Sequence, residues 1–408
     1  MDIYSRLSKM QDSSGLPDET GRERKGELAF LADALGGQII STDDGPVIEI
    51  SSALFAEEWH GIFSTRKLPQ LQFNMLPFLF GNMEDEIAEA GRVVFIDTET
   101  TGLSGGAGTM AFLIGLGYLN ENEFIIKQYF CPDFDCESAM LNHFHMTIDP
   151  FSCLVSYNGK CFDIPLLENR SVLNRIKPKT TAKKHLDLLA PARRLYKASC
   201  GDCSLASLEN SILGFHRPND IPGGLIPQAY FDFLRNRNPS VIKLVLSHNR
   251  FDILSLAGLF FHSCSLSASQ SKSAEDLCSL GLIYFKSGCY GKAEDCLVRA
   301  IKFGPGSLSY FKAAWHLYIL LRRDFRWQEA FALCSEALEN NGDFLIFGIE
   351  AAKIAEHKFK DFPTALRLTD LALRRAVSHT DRSGMHNCAT QSIIHRKNRL
   401  LKKLSAVK

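Results

Sequence analysis

At 408 residues the chain is longer than one ordinary domain; at about 150 residues per domain it holds two to three folded units. A composition of 45% hydrophobic and 23% charged residues excludes a disordered or fibrous chain and suits sizeable buried cores. Lys plus Arg (46) equals Asp plus Glu (46), so the zero formal charge excludes a uniformly basic, histone-like nucleic-acid binder and leaves local patches to decide binding.

The first residues, MDIYSRLSKMQDSSG, lack the apolar stretch of a secretory leader. The longest apolar run, 110–119, is far short of the ~18 residues a spanning helix needs, so the expectation is a cytoplasmic protein without a membrane partner. Residues 11–27 are almost wholly polar and read as a mobile start. Leu28 to Leu35 has helical periodicity and is stopped by Gly36-Gly37, and residues 38–50 read as two strands around an Asp43-Asp44-Gly45 turn. These features make up an N-terminal segment, 1–88. Arg92 to Ile96 suits a central strand, and 110–118 and 124–130 are two more. Gly102, Gly105, Gly106 and Gly108 suit turns between them; without a following Gly-Lys-Ser/Thr they form no phosphate-cradling loop. A helix over 137–145, a fourth strand over 151–157 and a short strand near 185–188 complete an α/β domain, 89–262, with a mixed central sheet flanked by helices.

Residues 263–273 hold six serines in eleven positions, a linker composition. Beyond it, over 274–408, the rhythm changes. Leu280, Gly281, Tyr284, Gly288, Ala293, Leu297, Ala300 and Pro305 place small residues where two helices would cross closely and large ones between. Ala330 and Ala337 recur 37 residues after Ala293 and Ala300, and Ala365 and Ala372 recur 35 later again. This resembles the tetratricopeptide repeat, which implies an all-α tail able to bind a protein partner.

The chemistry is concentrated in acids. Asp97-Thr98-Glu99 ends the RVVFI run, and side chains two apart on a strand share a face. Adjacent carboxylates repel unless a cation lies between them, and hard oxygen donors suit Mg²⁺ or Mn²⁺. Asp163, in NGKCFD, follows the fourth strand; acids at strand ends of one open sheet can converge in a shared crevice. In SHNRFD, His248 and Asp252 lie four apart on one face of an apolar-periodic helix, where a His beside a carboxylate can move a proton. Asp187, in HLDL, suits a supporting or helix-capping role and stands outside the metal set. Cys200 and Cys203 form a CxxC with no partner pair at zinc spacing, so they read as structural, and the twelve cysteines as reduced thiols.

DTETTGL, the N-x₃-FD spacing and HNRFD together resemble the three motifs of the DEDD 3′–5′ exonucleases of the ribonuclease H-like superfamily. The resemblance implies that Asp97, Glu99, Asp163 and Asp252 bind two divalent ions and that His248 orients or deprotonates the attacking water. One subtype has Tyr four residues before the last acid and the other has His five before; here His stands at the four-residue spacing. The segments ARRLY, CSLASLE, ILGFHR, DIPGG and YFDFLR further resemble the bacterial YprB-like group, some of whose members carry tetratricopeptide repeats.

Residues 170–197 hold nine Lys or Arg against Asp187 alone, a net +8, and 373–408 hold nine against Asp381 alone, again +8. The first run suits phosphate contacts; the second suits nucleic acid, a disordered tail or a polar repeat cap. The expected function is therefore a metal-dependent 3′–5′ exonuclease acting on the 3′ end of single-stranded DNA or RNA. The alternatives are a non-catalytic nucleic-acid-binding adaptor and a ribonuclease H-type endonuclease. An aspartyl-nucleophile phosphatase would want Asp-x-Asp-x-Thr, and Glu99 replaces its second acid.

Overall fold

A computed structural model describes residues 19–54, 59–64, 75–80, 92–102, 108–120, 123–266, 273–305, 307, 309–340, 345–378 and 387–406. The polar start before residue 19, Gly105, Gly106, most of the serine-rich linker and Asp381 lie outside the described residues. The chain divides into two compact units, Met1–Ala192 with Asp202–Ser265, and Arg193–Gly201 with Leu266–Lys408.

The first unit is built on a mixed seven-stranded sheet in the order β1-β2-β7-β6-β5-β8-β9. Its strands are β1 (Gln38–Thr42), β2 (Gly45–Leu54), β5 (Val93–Thr100), β6 (Ala111–Asn120), β7 (Glu123–Phe130), β8 (Cys153–Ser156) and β9 (Lys184–Asp187); β3 (Trp59–His60) and β4 (Phe63–Ser64) form a separate two-stranded hairpin. β5 pairs antiparallel with β6 and parallel with β8. Val93 to Ile96 are buried because a central strand has both faces covered, which is why that run is continuously apolar.

The N-terminal segment contributes to this same unit. Helix α1 (Glu19–Leu35) ends as the sequence indicates, with Gly36 at φ +71° and the Gly37 N–H returning to the Ala32 carbonyl. Its Leu28, Leu31 and Leu35 join the main core. The β1–β2 hairpin does not stand apart from the domain expected over 89–262. β2 pairs with β7 in register Ile48↔Phe130, because an isolated hairpin cannot bury Val47 and Ile48.

Six further helices belong wholly or partly to this unit after the short α2 (Leu76–Phe80). They are α3 (Glu137–Ile148), α4 (Asp163–Leu173), α5 (Leu189–Cys200), the single turn α6 (Leu205–Leu208), α7 (Ile226–Asn236) and α8 (Pro239–Ser265). From Ile253 to Cys264 nearly every residue of α8 is buried, as expected of a helix enclosed on all sides. It crosses β5 and β6 closely because β6 carries glycines on the facing side. A Cβ at Gly115 would lie 2.1 Å from Asn249 Oδ1, and one at Gly117 would lie 2.4 Å from Ile253 Cγ2. The strand period of two and the helix period of four thus meet residue on residue.

The second unit is helical: α9 (Ala274–Lys286), α10 (Tyr290–Ile301), α11 (Tyr310–Arg323), α12 (Trp327–Asn340), α13 (Leu345–Ile354), α14 (Phe362–Ser378) and α15 (Asn387–Ala406). Each packs on the next in sequence. Ala293, Ala300, Ala330, Ala337, Ala365 and Ala372 are all buried, and a Cβ at Gly281 would meet Leu297 at 2.8 Å. Among the described residues, no helix is long and apolar enough to cross a membrane, and the cysteines are free thiols, Cys200 and Cys203 included.

Candidate active site

Asp97 and Glu99 extend from the carboxyl end of β5. The neighbouring β8 ends at Ser156, and the loop after it delivers Asp163 as the first residue of α4. His248 and Asp252 come from α8. Donor atoms of Glu99, His248 and Asp252 all lie within 4.8 Å of one another, so a metal ion could be held among them. Asp97 and Asp163 stand around this group with other partners.

Asp97 is met from above by α8. Its Oδ2 accepts from Asn249 Nδ2 at 2.9 Å, while Asn249 Oδ1 accepts from Gln128 Nε2 at 2.9 Å. Gln128 also donates to the Leu246 carbonyl at 2.8 Å, which fixes the amide direction. Gly115, opposite Asp97 in the β5–β6 register, leaves the room that Asn249 occupies. Asp163 accepts from the hydroxyl of Thr98, the residue between the two strand acids. Its loop turns sharply: Asn158 has φ +64°, and a Cβ at Gly159 would strike Ser156 Oγ at 2.3 Å. Asp187 ties that loop down. Its Oδ1 accepts from the Asn158 N–H at 2.8 Å and its Oδ2 from the Lys160 N–H at 3.0 Å. Oδ1 also accepts from the Leu189 N–H at 3.0 Å, capping α5, so Asp187 fills both roles open to it in the sequence.

Electrostatically the cluster is strained. Burial, followed by the charges of Asp252, Glu99 and Asp163, holds the Asp97 carboxyl well above its usual range. Burial and then Asp252 and Asp163 do the same to Glu99. Burial pushes Asp163 up to about 6 against the Thr98 hydrogen bond, and it raises Asp252 against the opposing pull of Arg217 and His248. Four half-buried carboxyls that resist ionisation together are a set whose charge a divalent cation would offset, and their oxygens are donors that Mg²⁺ or Mn²⁺ accepts. The residues therefore fit such ions.

Three residues that motif reasoning passed over complete the surroundings. Arg217 Nη2 donates to Asp252 Oδ1 at 2.6 Å, and its Nε donates to Glu209 Oε2 at 2.7 Å. Asp220 Oδ1 lies 2.8 Å from His248 Nδ1, while His248 Nε2 lies 3.2 Å from Asp252 Oδ2. Glu209, Arg217 and Asp220 stand in CSLASLE, ILGFHR and DIPGG, the group-specific segments to which the sequence alone attached no chemistry.

The basic run over 170–197 is partly used by the fold. Arg170 pairs with buried Glu137, Lys179 with Asp149, and Lys183 donates to the Asp149 and Phe151 carbonyls.

A family model described as the RNase_H superfamily matches residues 94–263. Strands β5 to β9, but for Val93, and the acidic site lie within that span, so residues 94–263 form a domain of the ribonuclease H superfamily. The uncharacterized protein YprB of Bacillus subtilis (strain 168) is 34% identical over 287 residues, 69% of this chain and 69% of that protein, so the chain is a member of the YprB family. Among solved structures it is similar to the family B DNA polymerase of the archaeon Pyrobaculum calidifontis, at 14% identity and a TM-score of 0.33, over 48% of this chain and 29% of the polymerase. That likeness is too distant to bear on activity.

Proposed function

We propose that the protein is a metal-dependent 3′–5′ exonuclease acting on single-stranded DNA or RNA. The observation that carries this reading is the grouping of Glu99, His248 and Asp252 within ligand distance, with Asp97 and Asp163 beside them, where burial and the charges of neighbouring acids raise the carboxyls above their usual range. Two ions bound there would supply an activated water and charge stabilisation at the leaving 3′ oxygen. Asp97, Glu99, Asp163 and Asp252 hold the ions; Asn249, Thr98 and Asp187 fix the acids; His248, directed by Asp220, accepts or steers a proton at Nε2. Lys160, exposed on the Asp163 loop, supplies a cation for the substrate backbone, as do the exposed Arg175 and Lys177 of the basic run.

The helical unit we read as tetratricopeptide-like and as a protein-binding module, supported by its buried alanines at repeat spacing. The free thiols fit a reducing cytoplasm.

The deciding assay incubates the full chain and Asp97→Ala with 5′-labelled single-stranded DNA and RNA in Mg²⁺ or Mn²⁺. The expected result is a ladder shortening from the 3′ end, abolished by EDTA and by the substitution. Internal cuts would indicate an endonuclease, and no cleavage with either metal a non-catalytic adaptor.

A further inference from the structure

Behind the third acidic segment lies a chain of polar contacts, buried at His60 and Glu209 and half-buried beyond them, that begins outside residues 94–263. His60, in the β3–β4 hairpin, has Nε2 in a hydrogen bond with Ser255 Oγ at 2.6 Å, and Glu209 Oε1, buried and without a hydrogen bond, approaches the same nitrogen at 3.4 Å. Its ring lies on Phe215 at 3.8 Å between centroids. The other oxygen of Glu209 accepts from Arg217 Nε. Arg217 then reaches Asp252 through Nη2 and Asp220, at 3.3 Å, through Nη1, and Asp220 holds His248. The hairpin is seated tightly on the turn that carries Glu209. The Ile62 N–H donates to the Leu213 carbonyl at 2.8 Å, and Gly61, at φ +61°, is so close that a Cβ would lie 2.0 Å from that oxygen.

We propose that Arg217 is a positioning residue for Asp252 and His248, and that His60 of the hairpin holds it in place through Glu209. This rests on reading Asp252 and His248 as working groups of the site. The reason lies in the guanidinium. Its donors form a planar fork of fixed angles, so bonds to Asp252, Glu209 and Asp220 from one group lock the three carboxylates relative to each other. A lysine would keep the positive charge and lose the fork. Charge neutralisation alone needs neither the fork nor a hairpin more than a hundred residues away in sequence; positioning needs both. The inference also gives Glu209, Arg217 and Asp220 one shared task, and it makes the hairpin part of the site.

The test uses the full chain with Arg217→Lys, His60→Gln and the double variant. Two readouts are taken: Mn²⁺ affinity by titration calorimetry, and the imidazole NMR signals of His248 in metal-free protein. Arg217→Lys should weaken Mn²⁺ binding on the order of tenfold, as disturbing the partners of ligands does. His60→Gln should act in the same direction. The double variant should be no weaker than Arg217→Lys alone, because both changes break one chain. In both single variants the His248 signals should move. Wild-type affinity in Arg217→Lys, additive effects, or unmoved His248 signals would overturn the proposal. Should Arg217→Lys fail to fold, His60→Gln carries both readouts. If the wild type itself binds no Mn²⁺, the metal reading fails, and the His248 signals still decide whether Arg217 positions that ring.

Discussion

Asp97 illustrates how much a single carboxylate depends on neighbours of no chemical distinction. The contact from Asn249 exists because residue 115 has no side chain. Gly115→Ala places a Cβ 2.1 Å from Asn249 Oδ1, so the amide must leave Asp97 or α8 must shift. The expected cost is about 1–3 kcal/mol of stability from overpacking. A roughly tenfold loss of metal affinity or cleavage should accompany it. Thermal melting and the exonuclease assay measure the two effects, and an unchanged variant would mean that Asn249 does not support the site. The raised acids also make a pH prediction. Asp163 lies at about 6 and Asp97 and Glu99 well above their usual range in the folded chain. Unfolded, these groups titrate near ~4. The folded state therefore binds more protons between those limits, so this contribution favours folding at low pH and is lost as pH rises through the raised values. Metal-free protein should melt at a lower temperature at pH 7.5 than at pH 5.5. Mg²⁺ should narrow the gap, and Asp97→Asn should shrink it.

At the level of elements, much was legible. β5, β6, β7 and β8 follow apolar stretches in the sequence, β9 is a short strand with Leu186 as its one apolar residue, and α1 stops at its glycine pair. The pair Asp97 and Glu99 could be read because a strand period links them, and His248 with Asp252 because a helix turn does. What periodicity cannot carry is pairing at long range. β2 meets β7 across nearly eighty residues, and Arg217 meets Asp252 across 35, with no local pattern joining them. The Asp163 loop lies between these cases: NGKCFD and a supporting role for Asp187 are visible in the sequence, while the Asn158 and Lys160 N–H groups that Asp187 holds are not. Asp187→Ala removes the acceptor for three backbone N–H groups at once, that of Leu189 at the start of α5 among them. It should cost about 1–3 kcal/mol and lower the turnover rate at saturating Mg²⁺ by displacing Asp163. Asp187→Asn keeps an acceptor oxygen and should recover part of both. Equal loss in the two would show that the negative charge, rather than the acceptor geometry, holds the loop.

Over the whole molecule the zero net charge is a sum of uneven parts, and the basic C-terminal stretch shows how such a part can be consumed internally. Arg396, Arg399 and Lys403 lie in helix α15 and spend their charge on a carboxylate of their own unit. Glu356, fully buried in a wide helical turn after α13, accepts from Arg396 at 2.6 Å, from both Nε and Nη2 of Arg399, and from Lys403 at 2.8 Å, all on α15. Burial works against its ionisation, and the hydrogen bonds of Arg399 and Lys403 outweigh burial, bringing the carboxyl down to about 2. Glu356→Gln leaves three cations packed around a neutral group. The cost should be about 2–4 kcal/mol, at the lower end of a broken buried pair because Arg399 and Lys403 keep much of their water contact. α15 should lose amide-exchange protection before the other helices of its unit. The pH sign follows from the lowered value. A carboxylate at about 2 when folded and ~4.3 when unfolded stabilises the fold fully above the higher figure, and that stability drains as pH falls toward 2. Helical signal from this unit should therefore decline across that acid window in the wild type, and Glu356→Gln should flatten the decline while lowering the plateau at neutral pH. An unchanged plateau in the variant would return those basic residues to the pool available for a polyanion. A lowered one would mean that the +8 of this stretch serves the fold before it serves any ligand.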